Sequence, residues 1–154
     1  MTELLATLED LGIEVFLADE KYFPPLFRGS YQTEVNKFFL NDSYMHEPGA
    51  FAQVMRHEGW HVVQDCMAGT IDNTMMAVIH DDDEVPEFFR DMAERTYTGE
   101  SERARPWEQE ALWAGWTEMK TVRALRMCTN GSMWEQIEPT PMTKEWLIDN
   151  GYIK

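Results

Sequence analysis

Two histidines and a glutamate fall within five residues, His57-Glu58-Gly59-Trp60-His61. On a helix, residues four apart share a face one turn from each other, so both imidazoles can reach a single divalent ion, with Glu58 beside them. Zinc suits such a pair because it accepts neutral imidazole nitrogen at about 2.0 to 2.1 Å with no geometric preference from its filled d shell. A catalytic site also keeps one coordination position for water. The ion lowers the pKa of that water to about 7, and a carboxylate in hydrogen-bond reach takes its proton as hydroxide attacks a carbonyl. The pattern predicts His57 and His61 as metal ligands, Glu58 as general base and one zinc ion per chain. The competing reading is two histidines that merely line a core or a surface. Against it, the run lies within a predicted helix whose Phe51, Val54, Met55, Val62 and Cys66 form an apolar stripe, so the imidazoles ride on a packed, rigid element.

Two imidazoles leave a zinc site incomplete. Gln64 and Met67 stand three and six residues after His61, where one zinc-binding pattern would continue with Gly and His, so that pattern is excluded. The third ligand must come from farther along, and the segment Pro106-Trp107-Glu108-Gln109-Glu110-Ala111-Leu112-Trp113-Ala114-Gly115 is the natural candidate, some forty residues on. His80, followed by Asp81, is a weaker one, since a lone histidine in an acidic loop is more often exposed. Asp65, four residues after His61, is placed to orient a ligand histidine through its second nitrogen. His46 precedes a helix start, where it lines the cleft or stabilises an oxyanion. Tyr44, Tyr97 and His80 are candidate electrophiles for a tetrahedral intermediate, and nothing in the sequence selects among them.

The elements that must position these groups read as follows. Leu4, Leu5, Leu8 and Leu11 have helical spacing, with Thr2 as N-cap and Gly12 beyond the C-terminus. Residues 13–18 read as a strand, Pro24-Pro25 breaks the chain, and extended pieces follow over 28–33 and 35–40. Pro48 opens a helix that reaches Met67 before Gly69 ends it. The segment 72–84 is ambiguous, because residues 75–79 fit a helical turn or a strand equally, and Asp81-Asp82-Asp83-Glu84 reads as a solvated turn, without the spacing of a calcium loop. A short helix over 86–95, a polar loop over 97–105, one long helix over 106–127 and a last turn or two over 143–150 complete the pass. Trp107, Trp113 and Trp116 with Met119 are expected in the core.

With these pieces in place, the sequence resembles the gluzincins, the thermolysin-like zinc peptidases, and particularly their short single-domain members, the minigluzincins. The resemblance covers roughly residues 29–115. It rests on His57-Glu58-Gly59-Trp60-His61, on Glu108-Gln109-Glu110-Ala111 as a Glu-x-x-Ala or Glu-x-Glu-Ala ligand helix, and on Gly29-Ser30-Tyr31 followed by Phe38-Phe39-Leu40-Asn41 as the strand beside the cleft. Carried over position by position, it implies Glu108 as third ligand, with Glu110 the alternative and the other of the two solvated. Residue 112 is Leu where the family often has Asp or Asn. The helix face of Glu108, Ala111, Leu112 and Gly115 carries small residues that let two helices approach closely. The resemblance further implies an α+β zincin-like single domain over 1–154, with a small sheet against the active helix and a second long helix carrying the third ligand. It implies a peptide or protein substrate lying along the strand near residues 35–41 by edge pairing.

Composition sets the outer bounds. At 154 residues with 44% hydrophobic and 27% charged side chains, the chain suits one globular domain rather than a disordered or repeat-built protein. Thirteen Lys and Arg against 28 Asp and Glu give a net charge of −15, which repels nucleic acid and acidic membranes. Cys66 and Cys128 have no shared motif, so reduced, buried thiols are expected. The first residues resemble neither a signal peptide nor an anchor, which predicts a cytoplasmic location. Two functions compete: a zinc metallopeptidase, or a catalytically latent zincin-fold protein that binds metal or regulates. The second is motivated by the scant room for a separate substrate lobe. A chance motif in an unrelated helical protein is the third possibility.

Overall fold

A computed structural model describes residues 2–25, 27–69 and 75–153, the side chain of Glu100 excepted. Three strands form one sheet: β1 (Glu14–Ala18), β2 (Gly29–Gln32) and β3 (Lys37–Asn41), in the order β1-β3-β2. β3 runs parallel to β1, with Phe16 opposite Phe39, and antiparallel to β2, with Tyr31 opposite Phe38. All three expected extended pieces are strands. Their order corrects one expectation: residues 37–41 form the central strand, bonded on both sides, so no peptide can pair along them. The edge that faces the helix over 48–67 belongs to β2.

Among the described residues there are seven α-helices: α1 (Thr2–Asp10), α2 (Pro48–Met67), α3 (Glu87–Thr96), α4 (Arg105–Trp116), α5 (Lys120–Thr129), α6 (Met133–Gln136) and α7 (Lys144–Asp149). α2 is the axis of the fold. Pro48 sits in its first turn, where a missing N–H costs nothing, and from Glu58 to Asp65 every residue is buried. The sheet, α4 and α5 pack around it, so the polar residues of its buried stretch, Gln64 and Asp65 above all, must find partners inside the protein. The core joins Leu4 and Leu8 of α1, Phe38 and Leu40 of β3, Met55, Trp60, Val62, Val63 and Met67 of α2, Ala111 and Ala114 of α4, and Leu125 of α5.

The expected long helix over 106–127 is two helices. α4 stops at Trp116, Met119 takes a left-handed backbone with φ of 65°, and α5 starts at Lys120 in a new direction. No Gly or Pro lies between the two helices, although Gly115 stands one residue before the end of α4; tertiary bonds hold the break. Arg56 Nε donates to the Gly115 carbonyl at 2.8 Å, and Thr121 Oγ1 donates to the Arg56 carbonyl at 2.8 Å, which draws both helix ends onto α2. Gly59 permits the approach, because a Cβ there would stand 2.9 Å from Thr121 Cγ2.

Cys66 and Cys128 correct a second expectation: they are disulfide-bonded, Cα to Cα 6.3 Å, tying the C-terminal turns of α2 and α5 together. Residues 75–79 are neither helix nor strand but a buried irregular segment; the part of the ambiguous stretch at 72–74 lies outside the described residues. Residues 99–104 form 3-10 turns rather than an open loop. Of the residues expected in the core, Trp116 and Met119 are exposed and Trp107 and Trp113 half-buried, whereas Trp60 is fully buried. No described helix is long and apolar enough to cross a membrane.

Candidate metal centre

The Nε2 atoms of His57 and His61 face the Glu108 carboxylate, at 3.2 Å from His57 to Oε2 and 3.6 Å from His61 to Oε1. Ligating atoms from the three residues all lie within 4.8 Å of one another. The one-turn spacing in α2 aligns the imidazoles, whose rings meet edge to face at 5.1 Å. Glu108 arrives from the first turn of α4, where the helix dipole favours a carboxylate. Small residues bring α4 that close: Ala111 and Gly115 face α2, and a Cβ on Gly115 would stand 3.2 Å from the Gln53 carbonyl and 3.3 Å from His57 Cβ. Leu112, the departure from the ligand-helix pattern, does not alter this register.

The donor set fits a divalent ion. Glu108 Oε2 is buried without an aligned hydrogen bond although an imidazole stands beside it, as expected of an oxygen shaped for a cation. Burial alone would raise the Glu108 carboxyl, but the His57 and His61 side chains outweigh it and hold it well below the usual carboxylate range. Burial likewise pushes His61 down, and the Glu108 carboxylate more than reverses this, lifting the imidazole to about 9. His61 without metal is therefore protonated at pH 7, and a metal must displace that proton to reach Nε2. Apparent zinc affinity should rise with pH by up to about tenfold per unit and level off near the imidazole's pKa. Chelator-competition titrations from pH 6 to 10 check this, and a flat profile would refute it.

Glu58 lies where its charge acts on both His61 and Tyr97. Its Oε2 accepts the Tyr31 N–H of β2 at 3.0 Å, and its side chain is only 9% exposed. Antiparallel alternation turns the Gly29 and Tyr31 amides away from β3, toward α2. Gly29 makes the contact possible, since a Cβ there would come within 2.9 Å of both Val54 Cγ1 and Glu58 Cγ.

Among the electrophile candidates, the structure brings only Tyr97 to this cluster. Burial, with the Glu108 charge beside it, pushes the phenol far above its ordinary range, so it remains a neutral O–H. Tyr44 lies under the Arg28 guanidinium, and His46 is exposed beside Glu47. His80 sits apart, with Nε2 3.2 Å from Lys120 Nζ and its ring packed against Trp60 and Trp113. Burial, aided by the Lys120 charge, lowers His80 to about 4, so it is neutral. Burial also brings Lys120 down to about 8.

Two further expectations need correction. Asp65 does not orient His61: its Oδ2 accepts the Tyr31 hydroxyl at 2.6 Å, and His61 Nδ1 meets Gln64 Oε1 at 2.8 Å instead. Glu110 is not solvated but fully buried, and sequence reasoning missed its role entirely. It receives N–H groups from Trp60 Nε1, Gln64 Nε2, Ile79 and His80 at 2.7 to 3.1 Å. Burial raises its carboxyl, and those four donors oppose the rise. The available signal was indirect: a buried helix bearing Gln64 and Trp60 must find acceptors somewhere.

Comparison of the chain with protein-family models, curated proteins and solved structures finds no match.

Proposed function

We propose that this chain is a zincin-like metallopeptidase in which His57, His61 and Glu108 hold one zinc ion and Glu58 is the general base. The observation that carries the reading is the convergence of three ligand atoms within 4.8 Å of one another from two helices, with Glu58 on the same helix. Two imidazoles and a carboxylate are the donor set that catalytic zinc takes, which is why zinc is the ion proposed. When bound, zinc polarises a peptide carbonyl and acidifies water. Glu58 accepts the proton of the attacking water and passes it to the leaving amine, a task that its place beside the ligands suits. Tyr97 keeps a neutral hydroxyl next to Glu108, where it can donate to the oxygen that becomes negative during attack. An extended peptide or protein segment is the substrate, lying beside β2, with nucleic acid and membranes disfavoured by the net charge of −15.

A second reading, the catalytically latent zincin-fold protein that binds metal or regulates, draws on one observation. Glu58 is nearly covered and already bonded to the Tyr31 amide, so the base is engaged before any substrate arrives. Digestion of a broad peptide library by the zinc-loaded chain separates the two. The peptidase reading expects cleavage that a chelator abolishes and added zinc restores; full zinc occupancy without turnover would leave the latent reading. A cytoplasmic location belongs to this proposal as well. The Cys66–Cys128 bridge weighs against it, because disulfides persist mainly in oxidising compartments.

A further inference from the structure

The buried polar chain behind His61 has only one consistent direction. Glu110 is wholly inside the protein, and all four of its partners are N–H groups: the indole of Trp60, the amide side chain of Gln64 and the backbone amides of Ile79 and His80. An indole or a backbone amide can only donate, so the carboxylate acts as an acceptor throughout. Gln64 Nε2 is committed twice, to Glu110 Oε2 at 2.8 Å and to the Trp107 carbonyl at 3.1 Å, and both of those are acceptors. Its orientation is therefore not a free choice: a flipped amide would set oxygen against two oxygens. Oε1 must be the atom that faces His61, and since an amide oxygen only accepts, His61 Nδ1 must carry the hydrogen of that 2.8 Å contact. The lone pair of neutral His61 is left on Nε2, the atom turned toward Glu108.

We infer that Gln64 and Glu110 are positioning residues for the metal centre: Glu110 fixes the Gln64 amide, and Gln64 fixes the tautomer and ring orientation of His61. The inference rests on the metal-site reading for its purpose, but the tautomer it assigns is a property of the metal-free chain. The usual partner of a ligand histidine is a carboxylate, carbonyl or water. Here an uncharged amide touches the ligand and the carboxylate stands one bond farther back, on the same helix as Glu108 and two residues from it.

The test uses the full chain, its Gln64→Met variant and its Glu110→Gln variant. Nitrogen-15 NMR of the histidine rings in the metal-free chain, above the pKa of His61, reads the tautomer directly. The native chain should hold His61 as Nδ1–H, and Gln64→Met, which keeps the length of the side chain but not its oxygen, should give a mixture of both tautomers. Glu110→Gln removes the carboxylate acceptor and leaves the Trp107 carbonyl as the remaining constraint on the Gln64 amide, so it should shift the same signal less than Gln64→Met does. Zinc affinity by chelator competition should fall about 10- to 100-fold in each variant, with circular dichroism unchanged. An Nε2–H tautomer in the native chain would overturn the inference, and so would variants that keep both the native tautomer and zinc affinity within twofold of native. If the native chain binds no zinc while the Nδ1–H signal is present and lost in Gln64→Met, the metal reading fails and the orienting relay stands.

Discussion

Replacing Glu58 by Gln should abolish peptide hydrolysis while zinc stays at one ion per chain. General-base transfer contributes about 10²- to 10⁴-fold to rate, and an amide cannot take the proton, so kcat/KM should fall by at least that range. The substitution is mild for the fold. The amide keeps an oxygen for the Tyr31 N–H that Glu58 Oε2 now accepts, and the chain length is unchanged. Metal content should survive, since the clustered donor groups are those of His57, His61 and Glu108 and none of them is altered. Library digestion and elemental analysis of the same preparation read both halves of the result. Persistent cleavage by Glu58→Gln would remove Glu58 from the mechanism, and coupled loss of metal would mean that Glu58 holds the site rather than works in it.

The second large effect concerns stability. Cys66 and Cys128 close a loop of 62 residues in sequence. Constraining a loop of that size in the unfolded chain stabilises the fold by about 4 kcal/mol in the chain-entropy account. For a protein of this length such a loss lowers Tm by about 8 to 16 °C. Reductant should therefore produce that drop in the native chain, and the double variant Cys66→Ser with Cys128→Ser should start at the lower Tm and ignore reductant. The bridge ties the end of α2, one turn and a little beyond His61, to α5, so zinc affinity should weaken along with it. A native melting curve that reductant leaves in place would contradict the pairing.

What the sequence made legible was what depends on near neighbours. The juxtaposition of the His57 and His61 imidazoles could be read because one helical turn is a local distance, and α2 itself was bounded by Pro48 and Gly69. Glu108 was legible only through resemblance, because nothing within α4 says which distant helix it will face; the small face of Ala111 and Gly115 was the physical hint that two helices would meet there. Strand positions followed from residue type, but strand order is decided by how the chain crosses over, so β3 was mistaken for an edge. The split between α4 and α5 has no Gly or Pro in residues 117–119, only Gly115 inside the last turn of α4, and is held by Arg56 and Thr121, contacts spanning 59 and 65 residues. Glu110 was hidden for the same reason: a glutamate on a helix defaults to solvent, and only four donors gathered from two other segments, α2 and residues 79–80, reverse that default. The disulfide partners share no motif and become neighbours only after α2 and α5 pack.

Elemental analysis of the native chain, purified without chelators, beside its His57→Ala variant tests the central claim most directly. The account predicts one zinc ion per native chain and its loss in the variant. A native chain free of bound metal, or a variant that retains a full zinc ion, would contradict it.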